Sequence, residues 1–149
     1  MGKRRKGREL LVQALYAAAL SGQDLQVCVD DQLERRDAPQ DTAEFARPLA
    51  VLIAKHRASL DAALDGLLQN WDPERVGQVE RAICRLALAE LRYCPDVPIR
   101  VAINEACELA RLYCGDEAVG FINGLLDRAA RDIVAAERGD AGAGGGGPS

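Results

Sequence analysis

Five positively charged side chains lie within the first eight residues: Lys3, Arg4, Arg5, Lys6 and Arg8. A guanidinium group can donate two hydrogen bonds to one phosphate, and an ammonium group adds a compact positive charge. The chain has a net charge of −4, of which the first eight residues contribute +5, so the remainder carries −9. This basic arm on an acidic body predicts a local contact with an anionic partner such as a nucleic acid. The alternative is a solvated N-terminus that only improves solubility.

No combination of side chains in the sequence predicts an active site or a metal site. His56 is the single histidine and lies among polar neighbours, so we interpret it as a surface residue. Glu105 and Glu108 have no histidine partner and are interpreted as exposed helical acids or as residues near a capping hydrogen bond from Asn104. The cysteines have no C-x-x-C spacing and are predicted to be reduced, mostly buried thiols of a cytoplasmic protein: Cys28, Cys84, Cys94, Cys107 and Cys114. We therefore expect no reaction, no cofactor and no metal.

Aromatic residues are scarce, at 4% of the chain, and they are scattered along it. They are Tyr16, Phe45, Trp71, Tyr93, Tyr113 and Phe121. Proteins that bind single-stranded RNA usually stack bases on exposed rings. Because several of these rings fall on predicted core stripes, we expect the protein to share RNA binding with a partner.

The elements that must position these residues are predicted to be helices. Leucine and alanine recur at helical spacing, and no apolar run is long enough to span a membrane. We predict three regions: a flexible basic arm over 1–8, an all-helical domain over 9–138, and a disordered glycine-rich tail over 139–149. The predicted helices cover 9–20, 24–36, 41 to 68 in two segments, 79–93, 100–113 and 116–137. Residues 79–93 are apolar on most of their circumference and should form the central helix. Pro48 predicts either a later start of the third helix or a kink in it. Asp72-Pro73-Glu74 predicts the start of a helix.

Several motifs resemble the NusB family. The start KRRKGRELLVQALY is similar to that family's arginine-rich arm and first helix, and GQVERAICRLALAEL is similar to a later helix. The motifs V-A-I-N-E-A at Val101–Ala106 and F-I-N-G at Phe121–Gly124 have the family's separation. The resemblance implies an all-α fold of two small helical bundles packed into one compact domain. It also implies a non-catalytic transcription antitermination factor. Such a factor binds boxA-type RNA of nascent ribosomal RNA transcripts with NusE, a small-subunit ribosomal protein, as part of an RNA polymerase antitermination complex.

Site residues follow from the same resemblance, position by position. The residues matching the RNA-binding positions are Lys3, Arg4, Arg5, Lys6, Arg8, Glu117 and Phe121. The residues matching the partner-binding positions are Tyr16, Glu74 and Glu80. A purely structural role is the alternative for these residues. Tyr16 and Phe121 would also suit the core, and Glu74 would suit the first turn of a helix.

Two other functions compete with this interpretation. NusB-like domains also precede the catalytic domain of ribosomal RNA cytosine methyltransferases, but that function requires a cofactor-binding domain that this sequence does not contain. A helical homodimer that covers its own RNA-binding face is the second alternative, and it is compatible with the antitermination role.

Overall fold

Residues 2–144 contain seven α-helices and one turn of 3-10 helix. The computed structural model describes the backbone of residues 2–144 and the side chains of residues 2–136. The helices are α1 Lys3–Ser21, α2 Leu25–Arg35, α3 Gln40–Lys55, α4 Arg57–Leu67, α5 Gln78–Tyr93, α6 Ile99–Tyr113 and α7 Asp116–Gly144, with the 3-10 turn at Pro73–Arg75. Residues 2–144 contain no β-strand. The prediction of an all-α fold is confirmed.

The helices form two bundles that share one core. Helices α1, α2 and α3 pack on one another, while α4, α6 and α7 pack on or beside α5. Helix α5 also contacts α1 and α3, and thereby joins the two bundles. Its side chains Ile83, Leu86 and Leu88 are fully buried, as the apolar circumference of this segment predicts. The expectations of two packed bundles and of a central α5 are therefore confirmed.

Local sequence signals explain most of the helix ends. Gly22 ends α1 in the left-handed conformation, and the Asp24 side chain accepts a hydrogen bond from the Gln26 backbone amide at the start of α2. Asp72 caps only the short 3-10 turn, and α5 begins separately at Gln78. Helix α3 continues through Pro48, which lies on its exposed side. The predictions that Pro48 delays the helix start and that Asp72 starts the long helix are thus wrong.

The structure corrects the predicted boundaries at both ends of the chain. Helix α1 begins at Lys3, so residues 3–8 are helical and do not form a separate flexible arm. Helix α7 extends to Gly144, because adding a residue to an existing helix costs less than starting one. Residues 139–144 therefore do not belong to a separate tail, and residues 145–149 lie outside the described part. Within residues 2–144, no helix combines the length and the apolar character needed to cross a bilayer.

Candidate nucleic-acid interface

The first turns of α1 form a concentrated positive surface. Lys3, Arg4 and Lys6 are exposed, and none of them forms an ion pair within the described residues. The first turn contains no acidic residue, and the N-cap Gly2 offers no side chain to the free backbone amides. The N-terminus of a helix is also the positive end of its dipole. Amides, dipole and side chains therefore all favour a negatively charged group such as phosphate at this end of α1.

Arg8 does not belong to that surface. It is only 3% exposed, and its Nε and Nη2 atoms donate hydrogen bonds to the Glu90 carboxylate at 2.9 and 2.7 Å. Glu90 on α5 is equally buried, so each charge is compensated by the other. The prediction that Arg8 contacts RNA is corrected, since this guanidinium fastens α1 to the central helix.

Arg5 has a similar but more exposed arrangement. Its Nε donates to Glu105 Oε1 at 3.0 Å, and its Nη2 donates to Oε2 at 2.5 Å. The hydrogen bond from Arg5 lowers the pKa of Glu105, outweighing the opposing effect of burial, and the charges of Arg5 and Arg8 lower it further. Glu105 is consequently an anchor for α1 on α6, and the interpretation of this residue as an exposed helical acid is wrong.

A close contact between α1 and α3 completes the anchoring. A β-carbon added to Gly7 would lie 2.5 Å from Cδ2 of Phe45, so only glycine admits the ring at its present position. The guanidinium carbons of Arg4 and Arg8 lie 5.7 and 5.2 Å from the centroid of the same ring. Phe45 therefore supports both the exposed Arg4 and the buried Arg8 by cation–π attraction.

A second region, which we call the aromatic cleft, lies where the 3-10 turn meets the starts of α5 and α7. The Trp71 and Phe121 rings meet edge to face, with centroids 4.5 Å apart and an interplanar angle of 72°. The cleft has a volume of about 200 Å³. Its lining comprises Trp71, Arg75, Val76, Glu80, Cys114, Glu117, Ala118 and Phe121.

The aromatic cleft brings together residues that were predicted to have different roles. Glu117 and Phe121 were predicted to contact RNA, and Glu80 was predicted to face the protein partner. Glu74 is exposed on the adjoining 3-10 turn. Phe121 is half-buried beside Trp71, so it is partly a packing residue. Sequence reasoning missed Trp71, which is 43% exposed, because exposure of a lone aromatic residue has no signal in its spacing.

Tyr16 lies on α1 outside the aromatic cleft. It is 38% exposed, so the interpretation of Tyr16 as a core residue is not supported. The hydrogen bond from Gln13 to the Tyr113 hydroxyl, at 3.0 Å, joins α1 and α6 two turns beyond the Arg5–Glu105 pair. Helices α1 and α6 therefore run parallel, and the positive turns and the cleft lie toward opposite ends of α6, at least about 12 Å apart along the helix axis.

The chemistry of both regions suits binding and offers no nucleophile. The pKa of the Cys114 thiol is raised to about 11 by its burial and by the nearby carboxylate of Glu80. Burial likewise raises the pKa of Cys84 to about 12. Both thiols are therefore protonated at neutral pH. Among the described residues, no group of three His, Cys, Asp or Glu side chains is placed to hold a metal ion.

Comparisons of sequence and of structure both find similarity to NusB proteins. The sequence pattern described as the NusB family matches residues 5–131. The transcription antitermination protein NusB of Myxococcus xanthus (strain DK1622) is 38% identical over 134 residues, covering 87% of this chain and 96% of that protein. The solved T. maritima NusB has a TM-score of 0.78 at 31% identity, covering 86% of this chain and 90% of that one. A chain from a crystal structure of the antitermination factors NusB and NusE with double-stranded RNA has a TM-score of 0.79, covering 87% of this chain and 97% of that one. At 24% identity, this last likeness shows the fold alone.

Proposed function

This chain belongs to the NusB family, and on that premise we propose that it is a transcription antitermination factor that acts by binding RNA and not by catalysis. The observation that carries the proposal is the positive first turns of α1, where Lys3, Arg4 and Lys6 remain exposed at the positive end of a helix. Their position is fixed by two ion pairs, Arg8–Glu90 and Arg5–Glu105. The proposed ligand is boxA-type RNA of a nascent ribosomal RNA transcript, and the proposed location is the cytoplasm.

The anchored helix explains why this surface can bind phosphates with little loss of entropy. A flexible arm must become ordered when it binds RNA, and that ordering opposes binding. Here the backbone of residues 3–8 is already helical, and Arg5 and Arg8 hold it to α5 and α6. We therefore assign phosphate contact to the three exposed cations and a positioning role to the two paired arginines.

A protein partner fits the charge distribution. Outside the first eight residues the chain carries −9 and repels RNA, so a second basic surface is needed to extend the contact. A chain of the same fold has been solved together with NusE and RNA. We propose that NusE binds this chain through Tyr16, Glu74 and Glu80, all of which are at least partly exposed, and that the pair joins an RNA polymerase antitermination complex.

The test is RNA binding by the full chain with and without NusE. Labelled boxA-like RNA should bind weakly to the chain alone and tens-fold more tightly when NusE is present, since coupling between two sites is typically about 1–3 kcal/mol. RNA should strengthen NusE binding by the same factor. Light scattering of the free chain at several concentrations separates these effects from a homodimer. An RNA affinity that is negligible with and without NusE would refute the proposed function.

A further inference from the structure

A groove runs between α4 and α7, which both pack on α5. We call it the α4–α7 groove, and its walls are formed by Ala62, Ala63 and Gly66 of α4 and by Ala129, Ile133 and Ala136 of α7. We propose that it binds an amphipathic helix of a further protein, with aliphatic side chains toward the groove and acidic residues on both flanks. This inference goes beyond the proposed function, because the bound helix belongs neither to the RNA nor to NusE.

The size and the surface of the α4–α7 groove fit a helix. Its volume is about 600 Å³, and its α7 wall runs from Arg128 to Ala136, which is about 12 Å or roughly two helical turns. The buried Leu88 of α5 lies between the two walls. A β-carbon added to Gly66 would meet no atom within 4 Å, so the α4 wall leaves free space. An aliphatic stripe of a partner helix can therefore displace water from this apolar surface.

The charges at the edges of the groove favour acidic flanks on the bound helix. Arg92 leans toward α4, where its Nη1 donates a hydrogen bond to Ser59 Oγ at 3.3 Å, and Arg128 lies on α7. Both guanidinium groups are exposed, and neither forms an ion pair within residues 2–136. Among the described lining residues, Asp132 is the one acid. A helix with a carboxylate on each flank would therefore find a cation on each side of the groove.

The lining favours a protein helix over RNA as the occupant. Tyr93 is the one aromatic ring among the described lining residues, and His56 already stacks on it, with centroids 3.8 Å apart and an interplanar angle of 14°. The rest of the apolar lining is aliphatic. Nucleobases bind single-stranded RNA sites largely by stacking on free rings. The groove thus offers little to a base, whereas it suits leucine and alanine side chains.

The position of the groove allows it to be occupied while the positive turns of α1 bind RNA. Leu88 lines the groove, and Glu90 holds Arg8 of α1. These two residues of α5 are two positions apart, which places their side chains about 200° apart around the helix. The groove therefore lies on the side of α5 that is opposite to α1. A further protein bound there would leave the RNA-binding surface accessible.

The test uses a designed probe peptide and the full chain. The peptide is about 18 residues long and alanine-rich, so that it is helical, with a leucine stripe flanked on both sides by glutamate. One control peptide has lysine at every glutamate position, and a second has the same composition in scrambled order. Fluorescence anisotropy should show that the glutamate peptide binds at least about tenfold more tightly than either control. Non-specific attraction would favour the lysine peptide instead, because the whole chain carries −4.

Two variants and a matched control locate the binding. Gly66→Leu fills the groove and should weaken binding of the glutamate peptide by at least about tenfold, while leucine also suits a helix better than glycine does. Gly124→Leu, at another exposed helical glycine with open space around its β-carbon, should not weaken it. Arg92→Gln combined with Arg128→Gln should remove the preference for glutamate over lysine flanks. Saturating the chain with the glutamate peptide should leave its affinity for boxA-like RNA unchanged.

Each contrary result has a distinct meaning. Equal binding of the glutamate and scrambled peptides, or equal binding by the unaltered chain and Gly66→Leu, would overturn the proposal. Displacement of the peptide by RNA or by NusE would assign the groove to that partner and also overturn it. So would a homodimer, seen by light scattering, that Gly66→Leu dissociates. An absence of RNA binding with NusE present would instead refute the proposed function and would not affect the peptide result.

Discussion

The positive turns of α1 and the aromatic cleft present opposite chemistry at two ends of one side of the molecule. The first region has exposed cations and is held in place by acids that are 82 and 100 residues away in sequence. The second has rings and carboxylates, and its local turn is set by the hydrogen bond from the Trp71 amide to the Leu68 carbonyl at 2.9 Å and by the Asp72 cap. The first suits the phosphates of an RNA strand, whereas the carboxylates of Glu80 and Glu117 in the second repel them.

Arginines of the same helix also differ in their surroundings. Arg4 and Arg8 are one helical turn apart and share the Phe45 ring, yet one is exposed and the other is buried against Glu90. A buried charge needs a partner, whereas an exposed one is free to meet a ligand. A basic sequence run therefore does not predict how many of its charges face RNA. Here three of the five are exposed.

The largest expected effect comes from breaking the anchor of the positive turns. Glu90→Gln removes the charge that compensates Arg8 in the interior, and leaving one member of a buried pair typically costs about 3–5 kcal/mol. Denaturant unfolding should show that loss in the free energy of unfolding. The matched control is Asp31→Asn, at the exposed Arg35–Asp31 pair, which should cost about 0–1 kcal/mol.

A second variant distinguishes loss of charge from loss of packing. The double substitution Arg8→Met with Glu90→Leu replaces the pair by apolar groups and should recover much of the stability lost by Glu90→Gln. If Glu90→Gln alone costs less than about 1 kcal/mol, the pair does not anchor α1, and the difference between Arg4 and Arg8 loses its basis.

A smaller effect should test phosphate contact by the exposed cations of α1. Replacing Lys3, Arg4 and Lys6 together by glutamine removes three positive charges, and each phosphate contact on a single strand contributes about 0.7 to the slope of log K against log salt. The slope should therefore fall by about 2. Equal slopes for the triple variant and the unaltered chain would show that these cations do not contact phosphate.

Sequence alone predicts the helical fold well, because apolar residues at helical spacing mark the buried faces of α5, α6 and α7. It fails at the start of α1, where local preferences oppose a helix: four cations at the positive end of the dipole and no capping side chain. The contacts that offset this cost come from Glu90 and Glu105, and no local pattern connects them to residues 3–8. The cleft is missed for a related reason, since its walls come from three separate segments.

The smallest expected effect concerns the more exposed anchor, Arg5–Glu105, and it depends on pH. The hydrogen bond from Arg5 lowers the pKa of Glu105 below its ordinary value of 4.5. A carboxyl whose pKa is lowered by folding adds stability above its unfolded pKa, and that stability is lost as the pH falls through the folded pKa. At pH 7, the unaltered chain should therefore be more stable than Glu105→Gln by about 0–1 kcal/mol, because solvent screens this partly exposed pair. The difference should shrink below pH 4.5, as measured by denaturant unfolding of both proteins across pH. A difference that stays constant down to pH 3 would mean that Glu105 holds α1 by packing and not by charge, and that the positive turns rest on the buried pair alone.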